Sequence, residues 1–167
     1  MCPNGAKEAT DGKLEVWIDG ACEPVNPGGT ASYGVVVKSN GVTIFTDSAI
    51  VGSGPEMSNN VAEYSGLIAF LEWYIVHADN SKATVHSDSS LLINQMTGYW
   101  RARRGLYLPY YQRAWEIIRR NSLKDRIGYR WIPRERNQKA DKLSKDALLA
   151  QTSQISPPDT ENKEGGG

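Results

Sequence analysis

Apolar and polar positions along this chain fall into five extended runs and four stretches of helical spacing. Leu14–Asp19 (LEVWID) reads as a first strand, its short apolar run Val16-Trp17-Ile18 ending in an acid, Asp19. A Gly- and Pro-rich turn over 20–30 follows, then the β-branched run Ser32–Lys38 (SYGVVVK). Asn40-Gly41 is a two-residue hairpin signal, so Val42–Ala49 reads as a third strand antiparallel to the second. Ile50–Pro55 is a glycine-containing connection. Beyond the cap signal Ser58-Asn59-Asn60, apolar residues at 61, 62, 64, 67, 68, 71 and 74 or 75 predict a helix. Glu63 is expected in its first turn, where the helix dipole favours an acid. Lys82–Ser87 predicts a fourth strand and Ser89–Thr97 a second helix. A basic, aromatic connection over 98–109 leads to a helix over Tyr110–Asn121. Ile127–Ile132 predicts a fifth strand, Pro133–Asn137 a basic loop and Lys139–Ala150 a last helix.

This order, βββαβααβα, implies an α/β fold. A meander followed by crossovers makes a five-stranded mixed sheet, its first three strands antiparallel and its last two parallel, flanked by helices. Residues 1–13 show no periodicity and are expected to form a flexible tail. From 151 to 167 the composition turns to Thr, Ser, Pro, Glu and Gly, which predicts a disordered tail. The domain expected between them is 14–150.

Composition changes this picture little. At 167 residues, 40% hydrophobic and 23% charged, the chain suits one globular domain. No apolar run approaches the roughly 20 residues that span a bilayer, and the first residues lack a signal-peptide core. Two cysteines, Cys2 and Cys22, argue against a disulfide framework and suit a reducing cytoplasm. The formal net charge is zero, yet twelve of the nineteen basic residues lie between Arg101 and Lys139, against only Glu116, Asp125 and Glu135. Such a local field suits a polyanion, although solvated helix faces account for it equally well.

Candidate chemistry starts at the acids. Asp19 and Asp88 each end a predicted strand and precede a small or polar residue. A strand-end acid alone is more often a turn former. Parallel central strands would bring these two together, with Glu63 reaching over the sheet and Asp141 opening the last helix. Four carboxylates so placed repel one another, and divalent metal is the usual compensation. Two hard cations about 3.5–4 Å apart activate a water and stabilise the leaving oxygen of a phosphodiester.

Four motifs carry the acids: D-G-A-C…N-P-G at 19–28, S-N-N-x-A-E-Y at 58–64, S-D-S at 87–89 and W-I-P-R-E-x-N-x-x-A-D-x-L-S at 131–144. In this order and on these elements, the chain resembles ribonuclease H type 1, of the retroviral-integrase-like superfamily, over roughly 14–150. The resemblance implies a nuclease that cleaves the RNA strand of RNA/DNA hybrids and leaves 5′-phosphate and 3′-hydroxyl ends. It implies two Mg2+ ions, with Mn2+ as a substitute, held by Asp19, Glu63, Asp88 and Asp141. By the same resemblance Cys22, Asn26, Asn59, Asn60 and Ser90 face the sugars of the hybrid, where a 2′-hydroxyl distinguishes RNA. Ser58 and Asn26 then hold a phosphate of the DNA strand. One of Tyr99 and Trp100 lines the DNA channel beside Arg101, Arg103 and Arg104. The other reading of the aromatic group, Tyr107, Tyr110 and Tyr111 included, is packing between helices.

Two features depart from the family pattern. The basic protrusion between the second and third helices is replaced by about a dozen residues. The loop before the last acid has no His; it offers Arg134, Glu135 and Arg136. An Arg cannot act as a general base, because its pKa lies above about 12, but it can hold a phosphate. His77 and His86 read as structural. The turn after Asp19 is one residue longer than the family's. Competing readings are a superfamily nuclease acting on DNA or double-stranded RNA, and a non-catalytic nucleic-acid-binding module. No oligomerisation element or protein partner is evident, so a monomer is expected.

Overall fold

The computed structural model describes residues 12–153; the expected tail segments over 1–11 and 154–167 lie outside the described residues. The elements run β1 (Leu14–Glu23), β2 (Thr30–Ser39), β3 (Val42–Ser53), α1 (Asn59–His77), β4 (Ala83–Ser87), α2 (Ser90–Met96), α3 (Leu108–Arg120), β5 (Ile127–Trp131), a 3-10 turn at Arg134–Arg136 and α4 (Gln138–Ser153). One five-stranded sheet has the order β3-β2-β1-β4-β5. The first three strands are antiparallel, and β1, β4 and β5 run parallel. Asn40 and Gly41 both take positive φ, 50° and 77°, which a two-residue hairpin turn between right-twisted strands requires.

Several boundaries differ from the sequence expectation. β1 does not stop at Asp19 but continues through Glu23, paired with Thr30 to Tyr33 of β2. The Gly-Ala-Cys segment therefore belongs to a hairpin, and the turn shrinks to the residues after Glu23. β3 likewise runs on to Ser53, with irregular register against β2 at Ala31/Ser32 and Val37/Lys38. The basic loop carries a 3-10 turn, and α4 starts one residue earlier and extends to Ser153. In each case cross-strand or helix-to-sheet packing decides where backbone pairing ends, which local propensity does not report.

Helices cover both faces. On one, α1 buries Tyr64, Leu67, Phe70, Leu71 and Tyr74 against Val16, Ile18, Val35, Val37 and Val85. α3 adds Ala114, Ile117 and Ile118 to the same core. The approach of α1 is close: a Cβ on Gly20 would stand 2.5 Å from the Glu63 amide nitrogen, and one on Gly66 would stand 2.7 Å from Ile18. On the other face α4 presses on β2, where a Cβ at Gly34 would stand 2.2 Å from the Ala140 carbonyl oxygen. Ser32 Oγ donates to the Ser144 carbonyl at 2.7 Å beside it. Gly34 is the cross-strand partner of Asp19. The two tightest helix-to-sheet contacts thus flank that acid. Among the described residues no helix is long and apolar enough to cross a membrane.

Candidate active site

Parallel pairing of β1 with β4 reaches only as far as Trp17 and His86. Asp19 lies two residues beyond this ladder, in mid-strand with respect to β2 but at the open end with respect to β4. The chain leaves β4 at Ser87, and Asp88 follows at once. Ser87 Oγ accepts from the Ser89 amide at 3.1 Å, and Ser89 Oγ caps α2 by accepting from the Leu92 amide at 3.2 Å. These two bonds turn the backbone around Asp88. Trp131 Nε1 donates to the Asp88 carbonyl at 3.2 Å.

Glu63 arrives from α1. Ser58 caps this helix, its Oγ accepting from the Val61 amide at 3.2 Å. Glu63 is therefore the fifth helical residue and lies past the first turn, contrary to the expected dipole placement. Its position serves reach instead. Beside Gly20 the helix lies near enough to β1 for one carboxylate oxygen each of Asp19, Glu63 and Asp88 to fall within 4.8 Å of one another.

Asp19 and Glu63 are only 7% and 8% exposed. Burial first, and then the neighbouring carboxylates of Asp88, Asp141 and Glu63, push the Asp19 carboxyl up to about 8. Burial also pushes Glu63 up to about 8, partly offset by the Ser89 hydroxyl. Glu63 Oε2 is buried with no hydrogen-bond partner. An orphaned carboxylate oxygen among two further carboxylates is a costly arrangement for folding alone. A hard divalent cation fits this all-oxygen donor set.

Asp141, in the first turn of α4, is held differently. Lys145 Nζ lies 3.1 Å from Oδ2 and Arg134 Nη2 3.9 Å from Oδ1. All four acids line one cavity of about 190 Å³ with Gly20, Cys22, Glu23, Asn59, Arg134 and Lys145.

The remaining sequence candidates distribute as follows. Asn26 Oδ1 accepts from the Asn59 amide at 3.0 Å, which joins the turn after β1 to the start of α1. Asn59 and Asn60 are half-buried there, and Ser90 is exposed at the start of α2. Cys22 lines the cavity, but its thiol is buried and donates to the Val25 carbonyl at 3.3 Å. Tyr99 and Trp100 are exposed, at 82% and 51%. Tyr107, Tyr110 and Tyr111 instead pack against the core. Tyr107 stacks on Tyr64 at 5.7 Å and accepts from Gln95 Nε2 at 2.9 Å. Of the two loop arginines, Arg134 lines the acidic cavity and Arg136 lines another. His77 and His86 lie outside the cavity; His86 pairs with Glu15 and stacks on Trp17.

Sequence reading passed over two residues. Asn137 is 1% exposed and its Nδ2 donates to both Asp88 and the main chain of β1. Lys145 pairs with Asp141; its signal was the i, i+4 spacing of a Lys after an acid on a predicted helix.

The family described as reverse transcriptase-like matches residues 18–147. The chain is 39% identical over 140 residues to the bifunctional protein Rv2228c of Mycobacterium tuberculosis, covering 83% of this chain but 36% of that protein. The chain thus spans about a third of the length of this curated relative. The solved N-terminal RNase H domain of Rv2228c superposes with a TM-score of 0.73 at 34% identity, over 87% of this chain and 99% of that one. LC11-RNase H1, solved in complex with an RNA/DNA hybrid, superposes with a TM-score of 0.74 at 28% identity, over 83% and 99% of the two chains.

Proposed function

The chain belongs to the reverse-transcriptase-like family that includes the type 1 ribonucleases H, and from that premise we propose that it hydrolyses the RNA strand of RNA/DNA hybrids. One observation carries the reading: the acids of β1, α1 and the β4 end meet within 4.8 Å, two of them buried, with Glu63 Oε2 left without a hydrogen-bond partner. Asp19, Glu63 and Asp88 would hold the divalent metal, Mg2+ or Mn2+, with Asp141 beside Asp19. When bound, two such ions activate a water and stabilise the leaving oxygen, giving 5′-phosphate and 3′-hydroxyl ends.

The chain's own side chains do the rest. Arg134, facing Asp141 across the cavity, holds a phosphate oxygen as a permanently charged donor and transfers no proton. Lys145 keeps Asp141 oriented. Asn59 and Asn60 at the start of α1, with Asn26, Cys22 and Ser90 around the cleft, contact the minor-groove sugars. Asn26 also lies beside Ser58, for a phosphate of the DNA strand. Cys22 acts here through its main chain, because its thiol is turned inward. The exposed Tyr99 and Trp100 offer stacking surface for the DNA strand. A monomeric, cytoplasmic protein is part of the proposal.

Matched RNA/DNA, RNA/RNA and DNA/DNA duplexes, incubated with Mg2+, Mn2+ or EDTA, test this reading. Cleavage of RNA/DNA alone, lost in EDTA and in Asp19→Asn, is expected. A hybrid left intact under every metal sinks the proposal, and cleavage of RNA/RNA or DNA/DNA reassigns the substrate.

A further inference from the structure

A second cavity, of about 240 Å³, opens on the α4 side of the sheet. Trp17 and Val36 form its floor, and Lys38, Arg136, Gln138 and Lys139 surround it. Glu135 is the single acid among its lining residues. Among the described residues, none of the three cations has a carboxylate within 4.0 Å. The cross-strand partner of Lys38 is Glu15, but that carboxylate faces His86 and Lys13. Lys38 and Lys139 stand close enough to repel, which lowers the Lys38 ammonium from its ordinary value. Like charges held together destabilise a fold slightly unless an anion joins them.

The floor is held firmly. Trp17 stacks on His86 with ring centroids 5.2 Å apart, and Lys38 Nζ lies 5.3 Å from the Trp17 ring centroid. This contact places the ammonium over the cavity floor. At about 240 Å³ the cavity has room for a phosphate group and its water, and its cationic lining suits that charge.

We propose that Lys38, Arg136 and Lys139 form a phosphate-binding site over Trp17, distinct from the carboxylate cleft, and that it takes a backbone phosphate of the nucleic acid held in that cleft. Continuity supports the backbone source. Trp17 and Asp19 are two residues apart on the same face of β1, about 7 Å along the strand. Arg134 and Arg136 lie on one 3-10 turn, the first lining the acidic cleft and the second this cavity. The identity of the strand rests on the nuclease reading; the phosphate chemistry does not.

Binding of an RNA/DNA hybrid in EDTA, followed by fluorescence anisotropy over a salt series, tests the site without cleavage. Relative to the unaltered protein, K38Q/K139Q should reduce the slope of log K against log salt by about 1, since one lost phosphate contact removes about 0.9. K38R/K139R should retain it. K82Q/K124Q, a charge-matched pair on the loops that precede β4 and β5, should change it much less. Circular dichroism melts check that each variant is folded. Equal slopes for K38Q/K139Q and K82Q/K124Q would mean a diffuse field and overturn the site. In a second arm, inorganic phosphate is titrated while 1H–15N shifts of the Trp17 indole and residues 136–139 are recorded. Shifts there with an unchanged hybrid slope keep the phosphate site and overturn its assignment to the strand. A silent response in both arms overturns the proposal entirely. Because neither arm reads cleavage, a failed nuclease assay and a failed phosphate site are separate results.

Discussion

Asn137 ties Asp88 to the central strand. Its Nδ2 donates to Asp88 Oδ1 at 3.1 Å and to the Ile18 carbonyl at 2.8 Å. One side chain, 1% exposed, thus joins the end of β4, the middle of β1 and the start of α4. Three of the four acids lie on or beside those segments. Asn137→Ala would leave the Ile18 carbonyl and the Asp88 carboxylate short of a donor. A loss of about 1–3 kcal/mol in stability is expected, with a fall in kcat larger than the rise in KM. Asn137→Asp should be worse, since it adds a carboxylate beside Asp88. Denaturant unfolding and steady-state kinetics measure both; wild-type kcat in a folded Asn137→Ala variant would contradict the positioning role.

The buried acids predict an inverted pH dependence for the metal-free protein. Asp19 and Glu63 titrate near 8 in the folded state and near 4 when unfolded. Between those values the folded state binds more protons, so stability falls as pH rises from about 4 through about 8. In EDTA, melting temperature should therefore be lower at pH 8.5 than at pH 6. Asp19→Asn should raise it at pH 8.5 while removing cleavage. Mg2+ should stabilise the protein more at pH 8.5 than at pH 6, because its ligands must be deprotonated. Thermal melts with and without metal decide this; a flat or rising EDTA profile would show that the carboxyls are ionised in the fold.

The two loop arginines should separate kinetically. Arg134 faces Asp141, whereas Arg136 lines the cavity over Trp17. Arg134→Ala is expected to lower kcat about tenfold, equivalent to about 1.4 kcal/mol of transition-state stabilisation. Arg136→Ala should act mainly on KM and on the salt dependence of binding. The same rate loss in both variants would speak against separate roles.

Gly34 is expected to be intolerant. Its Cβ position meets the Ala140 carbonyl at 2.2 Å, a backbone atom that cannot swing aside. Gly34→Ala should push α4 off the sheet, costing about 1–3 kcal/mol. It should also weaken activity through Asp141, which follows Ala140. Gly41→Ala, where no atom lies within 4 Å, serves as a comparison whose effect comes only from its positive φ of 77°. Melting temperatures of the two variants give the test.

Much of the fold was legible in advance. The apolar runs in LEVWID and SYGVVVK, the Asn-Gly turn and the helical spacing after Ser58 are local signals, and local sterics and hydrogen bonding enforce them. The element order, the sheet class and the four acids could thus be read from residues alone. Element ends were less legible. Asp19 looked like a strand end because Gly20 breaks the apolar run. Yet β1 continues, because Thr30 to Tyr33 supply its hydrogen-bond partners. Glu63 looked like a first-turn acid, but the Ser58 cap places it one turn later, where Gly20 allows α1 to approach.

What the sequence determined by itself was which groups the candidate site has on offer: hard oxygen donors on four separate elements, arginines rather than a His in the loop before Asp141, and a helix cap ahead of Glu63. Only the tertiary structure decided how these act. It turned the Cys22 thiol inward, sent Arg134 and Arg136 to different cavities and brought in Asn137 as a tie between Asp88 and β1. It also gathered Lys38, from β2, with Lys139, from α4. The physical reason is distance along the chain. Propensity and periodicity act over a few residues, whereas the Asn137 contacts join positions 49 to 119 apart, and their geometry exists only once both helix layers close on the sheet.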